Sequence, residues 1–154
     1  MLQPGQPAPD FKLFDTEKKE TTLSEFRGRP VLLLFFPLAF TGTCTKELCS
    51  VRDDIGTYNN INAAVLGISV DSLFSLGKFR AEQQLNFPLL SDFNREASKA
   101  YESLYEHFIF GMEGVSKRSA FVIDKDGIIR YTEVLEKATE IPNFEAINQV
   151  LGSL

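Results

Sequence analysis

The chain has two cysteines, one histidine and no tryptophan, and each scarcity removes a class of function. With His107 as the sole imidazole, no multi-histidine metal centre can be assembled, and a cysteine–histidine protease would have a single candidate base. His107, between Glu106 and Phe108, reads as a surface or packing residue. Cationic side chains are outnumbered, 16 Lys and Arg against 21 Asp and Glu, for a formal net charge of −5. The two signs are interspersed, so the clustered basic face that nucleic acid requires is not expected. The apolar run that opens with Val31 to Pro37 is too short to span a bilayer. The opening Met1-Leu2-Gln3-Pro4-Gly5 carries neither a basic nor an apolar signal region, which makes the cytoplasm the expected location. No glycine-rich nucleotide fingerprint occurs, so no nucleotide cofactor is expected. Asp124-Lys125-Asp126-Gly127 lacks the glycine and terminal glutamate of a calcium loop and reads as a turn, and no metal is expected.

What is present is an ordinary globular composition, 44% hydrophobic and 24% charged over 154 residues, without repeats or linkers. One domain over residues 1–154 is expected. Phe11 to Phe14 and Thr21 to Leu23 read as an N-terminal hairpin, followed by a brief helix capped by Ser24 and ending near Gly28. Val31 to Phe36 is continuously apolar, as for a strand buried on both faces. A helix from about Thr43 to Tyr58, a strand from Ala63 to Val70 and a helix from Asp71 to Leu85 follow, the last capped by Asp71 or Ser72. Leu89-Leu90 is a short strand and Arg95 to Leu104 a helix. Ala120 to Ile123 and Ile128 to Val134 flank the Asp124–Gly127 turn as a hairpin. Ile141 to Leu151 closes the chain as an amphipathic helix. This order implies an α/β fold, a mixed sheet with helices on both faces. A thioredoxin-like sandwich fits it, although periodicity does not single that fold out.

The chemistry concentrates between Phe36 and Cys49. A buried strand ends at Pro37, a short loop follows, and a helix opens at Cys44, the kind of strand-end junction where α/β sheets gather ligand sites. The unpaired N–H groups and positive dipole end of a helix start favour a thiolate there. At ~100° per residue, Cys44, Leu48, Val51, Ile55 and Tyr58 form one inward stripe, with Glu47 about 60° from Cys44. Cys49 is turned about 140° away, on a side shared with Thr45, Arg52 and Asp53. Its Cα lies roughly 8–9 Å from that of Cys44 in an intact helix, beyond the ~7 Å reach of an undistorted disulfide. Any disulfide between them therefore requires the helix start to unwind.

Pro37-x-x-x-Thr41-x-x-Cys44 resembles the active-site signature of the peroxiredoxins, and the stretch from Phe35 to Gly42 looks especially like the alkyl hydroperoxide reductase E group. The Cys44-x-x-x-x-Cys49 spacing is similar to that of the peroxiredoxin Q (bacterioferritin comigratory protein) group. Gly5-x-x-Ala8-Pro9-Asp10-Phe11 and Lys117 to Asp124 resemble the family's opening and its late arginine-bearing strand, so the likeness runs nearly end to end. The resemblance implies a thioredoxin-like fold and a thiol peroxidase acting on hydrogen peroxide and organic hydroperoxides. Cys44 would attack the peroxide and become a sulfenic acid. The Thr41 hydroxyl, able to donate and accept, would hold thiolate and peroxide together. Arg118 would supply the fixed cation and Glu47 would orient it. Pro37 would screen the site, and the backbone N–H groups of Thr43 and Cys44 would complete an anion-friendly pocket. Cys49 would resolve the sulfenic acid as an intramolecular disulfide, recycled by a thioredoxin- or glutaredoxin-like reductant. A homodimer through Phe40, Phe74 and Phe110 is also implied.

Blander roles stand beside these. Pro37 terminates strands on many folds, Thr41 or Thr43 can cap the helix, Glu47 suits an exposed first turn, and Cys49 can be inert. Read without the motif, Arg118 is an ion-pair partner for nearby Glu113. Two other functions also use a reactive thiol: a disulfide reductase, which favours Cys-x-x-Cys, and a redox sensor or holdase.

Overall fold

The computed structural model describes residues 1–154, and its seven strands form one mixed sheet in the order β2-β1-β5-β4-β3-β6-β7. The strands are β1 (Lys12–Asp15), β2 (Glu20–Thr22), β3 (Val31–Phe35), β4 (Ala64–Ser69), β5 (Leu89–Ser91), β6 (Ser119–Ile123) and β7 (Ile129–Val134). The helices are α1 (Gly42–Asp53), α2 (Ile55–Asn60), α3 (Leu73–Glu82), α4 (Glu96–Ala100) and α5 (Phe144–Gly152). β3, β4 and β5 run parallel, while β6 pairs antiparallel with β3, and β1 with β5. The expected thioredoxin-like α/β arrangement is the one observed.

The continuous apolar run of β3 is explained by its central place, because alternate residues feed two cores. Leu32, Leu34 and Phe36 enter the core beneath α1, α3 and α5, with Leu48, Val51, Leu76, Phe79, Ile147 and Leu151. Val31, Leu33 and Phe35 enter the opposite core with Leu13, Leu23, Ala97 and Tyr101. In β4 the same alternation brings Gly67 against Leu89, where an added Cβ would lie 2.6 Å from a side-chain carbon. The sheet face needs a glycine there because a neighbouring leucine fills the space.

The antiparallel β3–β6 pairing positions the chemistry. Phe35 lies opposite Ser119, so the residue before Ser119 arrives beside the carboxyl end of β3. Strand alternation turns Arg118 to the same face as Ala120, whose side chain joins the core under α1.

Several element boundaries differ from expectation. The long helix is broken at Asp54 (φ −104°, ψ 14°), giving α1 and α2. The Arg52 carbonyl there accepts from the Asn86 side chain at 3.2 Å, which competes with the next helical bond. The early helix is a 3-10 turn, Leu23–Phe26, capped by Thr22 rather than Ser24, with the Thr22 N–H donating to Glu25 at 2.6 Å. The helix expected over Arg95 to Leu104 is only α4, because Glu102 turns left-handed (φ 52°) and Leu104 bridges to Ser116. Asp92 caps it, accepting from Ala97 and Ser98 at 3.0 and 2.7 Å. Ser72, one of the two candidates, caps α3 by accepting from the Ser75 N–H at 3.1 Å. The last helix starts at Phe144, three residues late, because Asn143 caps it. Asp124 makes the late turn as expected, accepting from Asp126 and Ile128 N–H at 2.9 and 3.0 Å.

Candidate active site

The loop between β3 and α1 is tightly tied. Thr41 is the N-cap residue of α1 by backbone conformation (φ −85°, ψ 153°) but makes no side-chain cap bond. Its hydroxyl instead turns back and donates to the Leu38 carbonyl at 2.8 Å. A hydroxyl has one proton, so Thr41 retains only acceptor capacity toward the cavity. Next to it, Phe40 has a left-handed backbone (φ 67°), unfavourable for a bulky residue. Its ring is held 5.1 Å from that of Phe79. Three residues into the helix, Cys44 is fully buried.

Arg118 completes the site from the residue that precedes β6. One terminal nitrogen, Nη2, donates to Cys44 Sγ at 3.2 Å and to the Ala138 carbonyl at 2.8 Å. The other, Nη1, donates to Glu47 at 2.7 Å. Glu47 and Arg118 are 0% and 1% exposed, so this is a buried ion pair rather than a surface one. The alternative partner, Glu113, faces His107 at 3.6 Å on the surface. Burial works against the Arg118 charge, but Glu47 and Cys44 beside it raise its pKa above the ordinary value. The guanidinium is therefore a permanent cation, directed at sulfur by a carboxylate behind it.

Burial pushes the Glu47 carboxyl up from 4.5 to about 7, against the downward pull of Arg118. Only one of its oxygens is bonded. A carboxyl that binds protons more tightly folded than unfolded contributes stability that is complete below the unfolded value, near 4.5, and lost as pH rises through about 7. A Glu47→Gln variant, which keeps an acceptor for Arg118, is expected to remove that component. Urea unfolding from pH 4.5 to 8 checks this. The wild type should lose up to about 3 kcal/mol relative to the variant across the window. Parallel pH curves would show that Glu47 is not the titrating group.

Pro37, Thr41, Cys44 and Arg118 line one cavity of about 310 Å³. Its far wall is apolar, built by Phe108, Ile109, Phe110 and Met112, with Ala138 and Thr139 at the side. Glu47 stands behind Arg118 rather than in the cavity. Cys49 is not part of this group. It is half-buried against the core below α1, with Sγ 3.5 Å from Gln83 Oε1. The wall at 108–112 and the Ala138 carbonyl escaped sequence reasoning, because backbone acceptors and loop side chains carry no motif. Asp71, a candidate helix cap by sequence, instead accepts from the Ala39 N–H at 2.8 Å.

The model of the AhpC/TSA family matches residues 4–132. The chain belongs to the AhpC/TSA family. Alkyl hydroperoxide reductase E of Mycobacterium bovis is 41% identical over 137 residues, covering 87% of this chain and 86% of that protein. The mitochondrial thioredoxin-dependent peroxide reductase of Drosophila melanogaster is 36% identical, covering 95% of this chain and 63% of that protein. The crystal structure of peroxidoxin BcpB from Mycobacterium tuberculosis superposes with a TM-score of 0.88 at 28% identity, over 100% of this chain and 99% of that one. The expected peroxiredoxin kinship is thus borne out in family and in fold. Within an AhpC/TSA chain, the stretch from Pro37 to Cys44 and Arg118, just before β6, are the parts that the sequence motifs singled out.

Proposed function

We propose that this chain is a thiol-dependent peroxidase that reduces hydrogen peroxide and organic hydroperoxides, with Cys44 as the nucleophile. The observation that carries this reading is the 3.2 Å contact between Arg118 Nη2 and Cys44 Sγ at the start of a helix. A fixed cation and a helix N-terminus both stabilise negative charge on that sulfur. The thiolate attacks the distal peroxide oxygen, the O–O bond breaks, and an S–O bond forms. The distal oxygen keeps its proton and becomes the sulfenic acid O–H. The leaving oxygen departs as an alkoxide or hydroxide, its charge met by Arg118, and takes a proton from solvent to become an alcohol or water. Thr41 accepts a hydrogen bond from the peroxide O–H, and Pro37 offers no competing donor. The apolar wall from Phe108 to Met112 accommodates an organic tail. Cys49 then displaces hydroxide from the sulfenic sulfur, giving a disulfide and water, and a thioredoxin- or glutaredoxin-like dithiol restores both thiols.

No helix is long and apolar enough to cross a membrane. Both cysteines are free thiols, and a cytoplasmic, reducing setting suits a catalyst recycled by thiols. Phe40, Phe74 and Phe110, exposed by 50%, 71% and 92%, support a homodimer, to be checked by light scattering; a monomer mass overturns that assignment.

Stopped-flow mixing with hydrogen peroxide and an alkyl hydroperoxide, followed by intact mass measurement, tests the function. Rapid second-order oxidation with loss of about 2 Da is expected, followed by repeated turnover once a dithiol reductant is added. Oxidation no faster than that of a free thiol overturns the reading. Fast oxidation without turnover would leave the sensor function in its place.

A further inference from the structure

The peptide unit between Leu38 and Ala39 is hydrogen-bonded at both ends, once toward the site and once away from it. Its carbonyl accepts the Thr41 hydroxyl at 2.8 Å. Its N–H donates to Asp71 Oδ2 at 2.8 Å. Asp71 is itself held on several sides. The same Oδ2 accepts from the Ser69 hydroxyl at 2.6 Å, the Asp71 N–H donates to Ser69 Oγ at 3.2 Å, and the Asp71 carbonyl accepts from Ser91 Oγ at 2.6 Å. Ser69 and Ser91 end the neighbouring parallel strands β4 and β5, so the carboxylate is mounted on the sheet while Thr41 sits on the loop.

We infer that Asp71 is a positioning residue for Thr41, acting through the Leu38–Ala39 peptide. Two effects follow from the geometry. The carboxylate fixes the peptide plane and hence the direction of the Leu38 carbonyl that takes the Thr41 proton. It also polarises the peptide, because an amide that donates to a carboxylate has a more basic carbonyl, and bonded chains strengthen one another. With its proton committed to Leu38, the Thr41 oxygen can only accept, the polarity that a peroxide O–H requires. The next residue, Phe40, is held at φ 67°. A loop with that backbone cost keeps its shape only when its surroundings over-determine it, and Asp71 is the sheet-side restraint.

The inference rests on the assignment of Thr41 to the peroxide, so the test varies both residues. The rate constant for oxidation of Cys44 is measured by single-turnover stopped flow, which precedes any role of Cys49. Asp71→Ala is expected to be about tenfold slower, the size of one lost hydrogen bond that matters in the transition state. Asp71→Asn can present an acceptor oxygen at the same place and should stay within about threefold of wild type. In a Thr41→Val background, Asp71→Ala should cost less than about twofold, because the group it orients is gone. Wild-type rates in Asp71→Ala, or equal losses in both backgrounds, overturn the relay. If Asp71→Ala does not fold, Ser69→Ala carries the same comparison, with a loss of about threefold confined to the Thr41 background. A wild-type rate in Thr41→Val alone removes the Thr41 assignment itself, whereas a slow Thr41→Val with additive losses removes only the relay.

Discussion

Arg118→Ala is expected to slow Cys44 oxidation by about 10²–10³-fold and to destabilise the fold, whereas Cys44→Ser should abolish peroxide reduction and leave the fold intact. The contrast follows from what each side chain leaves behind. Serine at 44 keeps an acceptor for Arg118 in nearly the same volume, so the buried network stays satisfied. Truncating Arg118 removes the donor to sulfur at 3.2 Å and the cation beside Glu47 at 2.7 Å together. An unpaired carboxylate then remains in a fully buried position. Losing one partner of such a pair costs about 3–5 kcal/mol. The orphaned carboxyl has a remedy, which is to bind a proton. Removing the pull of Arg118 moves its titration higher still, so the variant should recover part of its stability as pH falls and be weakest in alkali. Arg118→Ala combined with Glu47→Gln should regain stability at neutral pH without regaining rate. Arg118→Lys should regain part of both, because an ammonium on a flexible stem cannot serve Cys44, Glu47 and Ala138 from one planar fork. Single-turnover rates and urea midpoints at pH 6 and 8 decide the matter. If Arg118→Ala reacts at the wild-type rate, the guanidinium is not the activating charge.

The parts of this fold that could be read in advance are those governed by local rules. Val31 to Phe36 reads as a doubly buried strand because every residue is apolar, and the two cores it feeds confirm that logic. Asp124 to Gly127 reads as a turn because aspartate chemistry is local. The break at Asp54 was invisible because Val51, Ile55 and Tyr58 keep helical spacing across it, and the competing donor to the Arg52 carbonyl comes from Asn86, 34 residues away in sequence. The same distinction separates the site residues. Cys44 was legible from a strand, a loop and a helix start alone. Arg118 and Glu47 are 71 residues apart, and only family likeness joined them before the β3–β6 register did. Asp71 lay hidden because its partner is a backbone N–H, which no side-chain motif records.

Oxidation of the wild type is expected to melt the start of α1 and leave the rest of the fold protected from hydrogen exchange. The two thiols are one turn plus one residue apart on different faces, so Cys49 reaches the sulfenic sulfur only after the intervening helix opens. The structure indicates which end yields. The C-terminal half is fastened, with Arg52 Nη1 donating to the Gln83 carbonyl at 2.6 Å and Asn86 Nδ2 donating to the Arg52 carbonyl at 3.2 Å. The first turn holds Gly42, Thr43 and Thr45, weak helix formers, with no acidic residue and no side-chain cap. Unwinding should therefore begin at Gly42 and run toward Val51, breaking the Arg118–Glu47 pair as it passes. Such an event is sub-global, since the strands on either side keep their pairing. Exchange measured on the oxidised protein should show the amides of 42–51 unprotected, with β3, β4 and β6 still slow. Mass spectrometry should show loss of about 2 Da and no covalent dimer. Cys49→Ser should stop at the sulfenic acid and pass to the sulfinic acid under excess peroxide, because the helix then has no reason to leave the site. An oxidised wild type that keeps α1 protected and accumulates sulfenic acid would show that Cys49 does not resolve, and that an external thiol attacks Cys44 directly.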